Sequence, residues 1–284
     1  MQVDRHQGLL TMSGYGRRYW AERTGPRRRR KYPVLTGQHQ ADVVVIGGGL
    51  TGCATASVLA AGGLDVILVE GDRLAGGSTA AGLGTIVPVP DASYRDVEAA
   101  TGRRLARAAW KEVRRSSREF VTALGKLQTK SDLRPAPLLI NSNSIEQATA
   151  LRREQASRKA VGLEAPWVAP AAARSEIGTD STGAIRLQDA ALYDPVRATL
   201  GFANAAVSRG AHVFERSLVK RTKFTRKDAE VVLERGSVST RGIVVATGEP
   251  GILARQLQRH LRRSTGYVVV THPLTGPMRR ETGD

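Results

Sequence analysis

The chain is poor in cysteine, aromatics and acidic residues, and each shortage closes off a class of protein. Cys53 is the sole cysteine among 284 residues, which excludes an internal disulfide and fits a reducing compartment. Aromatic residues make up 5% of the sequence. Readers of nucleic acid usually combine a localised basic face with stacking aromatics or a recognition fold, so specific nucleic-acid binding is not expected despite a formal net charge of +17. Arginine outnumbers lysine by 35 to 8, and the arginines read as scattered through every predicted helix instead of forming one stripe. The densest run, Arg27 to Lys31, reads as a solvated or phosphate-touching tail; an anionic surface, including a membrane carrying a quinone pool, stays open as a partner. No apolar run approaches the roughly 18 residues of a membrane span, and the basic start is not followed by an apolar signal region. No transmembrane segment and a cytoplasmic location are therefore expected. The five histidines, His6, His39, His212, His260 and His272, show no ligand spacing such as HExxH, so no metal site is expected. His272 reads as an ordinary strand-end histidine in preference to one facing a substrate, and no catalytic residue is assigned.

What the chain does have is a nearly complete dinucleotide-binding unit over residues 42 to 70, DVVVIGGGLTGCATASVLAAGGLDVILVE. A strand from Asp42 to Ile46 runs into Gly47-x-Gly49-x-x-Gly52, a helix carries Ala54, Ala56, Leu59 and Ala60, and a second strand from Asp65 to Val69 ends on Glu70. Gly47 permits a tight turn out of the strand, Gly49 leaves room for a pyrophosphate against the backbone, and Gly52 lets the helix pack closely on the sheet. The free N–H groups and positive end of the helix then face the phosphates. Glu70 sits where a carboxylate accepts hydrogen bonds from a ribose diol and repels a 2′-phosphate. That suits FAD or NAD, and the motif alone does not choose between them. Cys53, in the first turn of the helix, reads as a small residue packed under the loop in preference to a reactive thiol.

The rest reads as α/β. Residues 1–40 form a basic lead in which Tyr19 and Trp20 are candidate anchors onto the body. A Gly/Ser/Thr loop follows Glu70, and apolar residues at helical spacing predict one or two helices over 94–125. A strand near Leu138 to Ile140, a helix over 144–161 and a short helix over 171–177 come next. The pattern continues with a strand at 183–187, a helix from Pro195 to Arg209, and strands at 211–214 and 218–225. Three further short strands, Val231 to Leu233, Ser237 to Thr240 and Ile243 to Val245, form a meander that ends in Ala246-Thr247-Gly248.

In this order, strand, GxGxxG, helix, strand ending on Glu, a long insert, then strands closing on IVVATG, the chain resembles the FAD-dependent amine oxidoreductases related to D-amino acid oxidase, glycine oxidase and sarcosine oxidase. The lead RRYWAERTGP…YPVLTG before ADVVVIGGG looks most like their gamma-glutamylputrescine oxidase branch. The resemblance implies a Rossmann-like parallel sheet binding FAD, with an inserted, incomplete α+β substrate domain. It divides the chain into the lead (1–40), the FAD-binding βαβ unit and phosphate loop (41–92), a helical insert (93–190), a return to the FAD domain (191–251) and the start of a substrate sheet (252–284). It places Gly47, Gly49, Leu50, Thr51 and Gly52 around the pyrophosphate, Glu70 on the adenosine ribose and Asp72 close by. Ser78 and Thr79 match small hydroxyl residues that touch the phosphates, and Gly82 and Leu83 match backbone positions near the flavin. Val219 matches the residue whose backbone meets the adenine, and Thr247 and Gly248 pass beside the same cofactor.

The implied chemistry is oxidation of the C–N bond of a small amine or amino acid, with oxygen or a quinone as electron acceptor. Relatives that hold FAD covalently often carry a His in the GST loop, where this chain has Ala80 and Ala81, so a dissociable flavin is expected. The family normally continues well past the ATG strand. Residues 266–274, GYVVVTHPL, look like the first returning strand of its substrate sheet, with Val268 to Val270 at an unpaired edge, and the resemblance implies that a continuation or second chain supplies the remainder.

Overall fold

The computed structural model describes residues 19–25, 30–249, 251–261, 266, 271 and 274–278. The strand expected over 266–274 and His272 lie outside the described residues, as do residues 1–18 of the lead. Along the chain the elements run α1 (Tyr19–Thr24), β1 (Gly37–Ile46), α2 (Leu50–Ala61), β2 (Val66–Val69), α3 (Ser78–Ala81) and β3 (Thr85–Ile86). Then come α4 (Tyr94–Thr101), α5 (Arg103–Gly125), β4 (Arg134–Pro135), β5 (Leu138–Ser142), α6 (Ile145–Ala160), β6 (Trp167–Val168), α7 (Pro170–Ile177), β7 (Gly183–Leu187) and β8 (Ala191–Leu192). The chain continues through α8 (Pro195–Val207), β9 (His212–Phe214), β10 (Val219–Phe224), β11 (Ala229–Leu233) and β12 (Gly236–Val245). Two compact units result, one from Met1–Gly82 with Pro195–Arg263 and the other from Leu83–Asp194 with Ser264–Asp284.

The first unit is built on a six-stranded sheet in the order β10-β11-β12-β1-β2-β9. Strands β12, β1, β2 and β9 run parallel, while β10 and β11 are antiparallel neighbours at one side. The VVVI and VILV runs lack a polar alternation because the inner strands are covered on both faces; Val44, Val45, Val66 and Leu68 have no exposed surface. Helix α2 packs on α8, and its buried face of Gly52, Cys53, Ala56, Ser57 and Ala60 is small enough for close approach.

The sequence reading has no counterpart of α1, α3, β3, β4, β6 or β8, and strands that it does place run longer in the structure. β1 begins at Gly37, five residues before Asp42, and the two short strands expected at 237–240 and 243–245 are one ten-residue strand, β12. The residues GQHQA carry no local strand signal; they become strand because Gly37 to Ala41 pair with Gly236 to Thr240. The approach is close: a Cβ on Gly236 would lie 2.3 Å from the Gly37 carbonyl oxygen. At the other end of this region the Asp42 carboxylate accepts from the Asp65 N–H at 2.9 Å and pairs with Arg241. The Asp65 N–H first and Arg241 second hold the Asp42 carboxyl below the usual carboxylate range. A depressed folded-state value means that the stabilising contribution is present above the ordinary Asp pKa of about 4 and is lost as pH falls through the folded value. Asp42→Asn should therefore flatten the acid limb of stability between neutral pH and pH 3, read from urea midpoints; an unchanged acid limb would remove Asp42 from this role.

The second unit carries two three-stranded sheets, β3-β8-β4 and β5-β7-β6, with helices α4 to α7. The predicted helical stretch over 94–125 is two helices. Ser93 caps α4 by accepting from the Asp96 N–H at 3.0 Å, and Gly102 at φ +81° breaks the chain before α5. Helix α5 buries Ala106, Trp110, Ser117 and Leu124. Some of the basic residues line one side of this helix, next to its buried stripe: Arg104, Arg107, Lys111, Arg114, Arg115 and Arg118. Arg115 pairs with Glu112 and Glu119, and Arg114 and Arg118 share Asp189. Inside the unit, Glu154 of α6 accepts from the Tyr94 N–H at 2.7 Å, the Arg95 N–H at 3.2 Å and Arg158 Nε at 2.7 Å. One buried carboxylate thus caps α4 and neutralises a buried arginine.

Candidate functional site

The turn from β1 into α2 is shaped by its glycines. Gly47 has φ +111°, and a Cβ there would lie 2.6 Å from the Ala246 carbonyl oxygen. A Cβ on Gly52 would lie 1.8 Å from the Gly47 carbonyl oxygen. Both collisions are with backbone, so neither is relieved by a side-chain rotation. Gly48, a free position in the motif spacing, is equally constrained: its Cβ would meet Leu74 Cδ2 at 2.3 Å and Glu70 Cβ at 2.9 Å. Sequence reasoning missed it because the fingerprint is read from spacing, while this contact comes from the segment after β2.

Gly49 differs. Its φ of −78° is open to any residue, and it precedes α2 without supplying a side-chain cap. A Cβ there would point toward Thr79 Oγ1, 3.2 Å away. Thr79 Oγ1 in turn accepts from the Leu50 N–H at 3.1 Å, joining the α3 turn to the first residue of α2. Thr51 is exposed beside it. The start of α2 is therefore bordered by glycine backbone and one hydroxyl, at the positive end of a twelve-residue helix.

Glu70, half-buried at the end of β2, accepts from the Gly48 N–H at 2.6 Å and the Asp72 N–H at 2.9 Å. A carboxylate has about four acceptor positions, so two bonds orient the group and leave capacity for a ligand's hydroxyls. Asp72 itself is exposed, and its carbonyl accepts from the Arg216 N–H at 2.9 Å. The Ser217 N–H likewise bonds the Glu70 carbonyl at 2.8 Å. Just before these partners in the chain, Glu215 is buried and accepts from the Leu74 N–H at 2.9 Å. Glu215 and Ser217 escaped sequence reasoning, since nothing local distinguishes a structural Glu after a short strand from a solvated one.

Ser78 and Thr79 lie on α3, and Gly248, at φ +74°, would place a Cβ 4.0 Å from Ser78 Oγ. Thr247 Oγ1 donates to the Glu249 carbonyl at 2.6 Å. The structure thus gathers three turns, Gly47–Gly52, Ser78–Gly82 and Ala246–Gly248, around the end of the parallel strands. Val219 is buried at the start of β10, in the core that holds Ile46 and Val69. Leu83 is 63% exposed and begins the second unit. Cys53 is fully buried with its thiol directed at the Gly48 carbonyl, 3.6 Å away; burial first, then Glu70 and Glu215, pushes its pKa up. It is a packing residue. Among the described residues no group of His, Cys, Asp and Glu is placed to hold a metal, and no helix is long and apolar enough to cross a membrane.

These features suit a dinucleotide. The positions nearest the helix N-terminus are those where a Cβ would collide or intrude, and the donors there are backbone N–H groups, which fit an anion. A parallel sheet with this turn and a carboxylate at the end of its second strand defines a dinucleotide-binding protein. Residues 42–284 match the model of the DAO family, described as FAD dependent oxidoreductase, and the chain belongs to that family.

Among curated proteins it is similar to gamma-glutamylputrescine oxidoreductase of Escherichia coli K12, 26% identical over 216 residues that cover 76% of this chain and 50% of the relative. Among solved structures it is similar to glycine oxidase from Geobacillus kaustophilus, with a TM-score of 0.60 and 20% identity over 74% of this chain and 55% of that one. It also resembles the FAD-bound L-alpha-glycerophosphate oxidase from Mycoplasma pneumoniae, with a TM-score of 0.61 and 19% identity over 74% of this chain and 54% of that one. The chain spans about half the length of the relatives it matches.

Proposed function

We propose that this chain binds FAD without a covalent bond and serves the oxidation of the C–N bond of a small amine or amino acid. The observation that carries the reading is the junction of Gly49, Leu50 and Thr79, with Glu70 pinned beside it by two backbone N–H groups. In this reading Gly47, Gly49, Leu50, Thr51 and Gly52 surround the pyrophosphate, Ser78 and Thr79 supply hydroxyls to it, and Glu70 accepts from the ribose. Asp72, Gly82, Leu83, Val219, Thr247 and Gly248 complete the cofactor's surroundings. The chemistry a bound flavin supplies is acceptance of a hydride from the carbon bearing nitrogen, with reoxidation by oxygen or a quinone. The protein's part is to hold, orient and shield. The amine substrate is supported by the names of the E. coli and Geobacillus relatives, and the Mycoplasma relative, whose name is that of a glycerophosphate oxidase, is the reason it needs a direct test. The single cysteine supports a cytoplasmic location.

A second reading is supported by the share of the relatives' length that the chain spans: the described residues form the FAD-binding part, and further polypeptide or a second chain completes the substrate face.

The test is to purify the chain, record its visible absorbance, and add FAD or NADP to the apoprotein. FAD binding with an absorbance band near the flavin's own, and no NADP binding, is expected. Acid precipitation should then leave all of the flavin in the supernatant, because Ala80 and Ala81 offer no nucleophile and Cys53 is sealed in the core. Flavin that stays with the denatured polypeptide on a gel would overturn the non-covalent assignment. Amine-dependent bleaching of the flavin band by the 284-residue chain alone supports the first reading; bleaching only after a complementing chain is added supports the second.

A further inference from the structure

We propose that Trp20, on the lead helix α1, is a positioning residue for the flavin, acting through the Ser78–Gly82 turn. The inference rests on the FAD reading above and assigns it a residue from outside the dinucleotide-binding unit. Helix α3 is one turn of four residues, and a single turn does not hold its own shape in water because nucleation costs more than its few bonds return. Few backbone bonds close it: the Ala80 N–H reaches the Gly77 carbonyl at 3.1 Å and the Gly82 N–H the Thr79 carbonyl at 3.4 Å. The turn's position must come from outside it.

Two outside bonds supply that position. At one end the Leu50 N–H is bonded to Thr79 Oγ1. At the other, Trp20 Nε1 donates to the Gly82 carbonyl at 2.8 Å, across 62 residues of sequence. Between them Ala80, buried, packs with Ala75 and Val196, and the Trp20 ring and Ala21 cover this cluster. The Tyr19 ring meets Trp20 edge-on at 4.9 Å, which fixes the indole's orientation. The indole thus clamps the far end of the turn whose near end touches the phosphate-facing helix. Loosening it should let Thr79 and Gly82 drift relative to Gly49.

Trp20→Phe keeps an aromatic ring in the cluster and removes only the donor. Loss of one net hydrogen bond to the turn's geometry corresponds to a rise of about 2- to 10-fold in the FAD dissociation constant. A changed visible circular dichroism of the bound flavin should accompany it, and any fall in the unfolding midpoint of the apoprotein should be no larger than the loss of a single hydrogen bond gives. Trp20→Ala, which also removes the packing, should weaken FAD further. A Trp20→Phe protein with wild-type FAD affinity and flavin dichroism overturns the proposal. So does one whose apoprotein is destabilised while the flavin dichroism is unchanged, since that is a purely structural role. A wild-type chain that binds no FAD overturns the FAD reading itself, a result distinct from either.

Discussion

Gly49→Val should abolish FAD binding while leaving the protein folded, with at least a 100-fold loss of affinity expected from filling the space a pyrophosphate would occupy. The backbone at Gly49 has φ −78°, so valine is not strained there. Its first new atom would lie 3.2 Å from Thr79 Oγ1, close enough that the hydroxyl bonded to the Leu50 N–H must give way. The neighbouring motif glycines should behave differently. A Cβ on Gly52 would sit 1.8 Å from the Gly47 carbonyl oxygen, so Gly52→Ala forces the loop apart and should lower stability by several kcal/mol, on the order of the largest single-site effects. Equilibrium flavin titration and urea unfolding of both variants separate the two cases. Gly49→Val with full flavin content would mean that the phosphate loop is misassigned. Gly52→Ala unfolding at the wild-type midpoint would mean that the loop is not as close-packed as described.

The second large effect lies in the other unit. Glu154 and Arg158 have side chains 8% and 3% exposed, and the carboxylate also receives the Tyr94 and Arg95 N–H groups. Breaking such a pair from one side leaves a buried charge without its partner, at a cost of about 3–5 kcal/mol. Glu154→Ala adds the loss of the α4 cap. The guanidinium lies 5.4 Å from the Trp110 ring centroid, and Trp110 packs edge-on against Tyr94 at 5.2 Å, so the disturbance should reach the centre of this cluster. Unfolding followed by tryptophan fluorescence should show an early transition in Glu154→Ala. Replacing both charges by apolar residues of similar size should restore much of the loss, because a buried ion pair is weak evidence of net stabilisation. If Glu154→Ala unfolds with the wild type, the pair is not the keystone described here.

Long, continuous patterns were legible in the sequence. The VVVI and VILV runs, the glycine spacing and Glu70 specify that β1, α2 and β2 exist, and they place the end of β1 and both ends of β2 within a residue, because strand burial and tight turns are written in local residue types. The caps are local too: the Ser93 and Ser144 hydroxyls accept from the N–H groups three residues on and start α4 and α6. The basic side of α5 is also periodic in the sequence.

The family, the dinucleotide turn and most of the longer helices and strands are thus written in the residues themselves, while the short elements α1, α3, β3, β4, β6 and β8 are not. Which further residues lie around that turn depends on the folded chain. GQHQA became strand because β12 runs alongside it, not because of its own propensity. Gly48 became as restricted as the motif glycines because Leu74 and Glu70 fold over it. Glu215 and Ser217 came to brace the Glu70–Leu74 segment, and Trp20 to hold Gly82, through contacts 62 to 147 residues apart in sequence. Local preference is a matter of a residue and its near neighbours, whereas a hydrogen bond or a collision depends on which atoms the fold brings within a few ångströms, and no spacing rule carries that information.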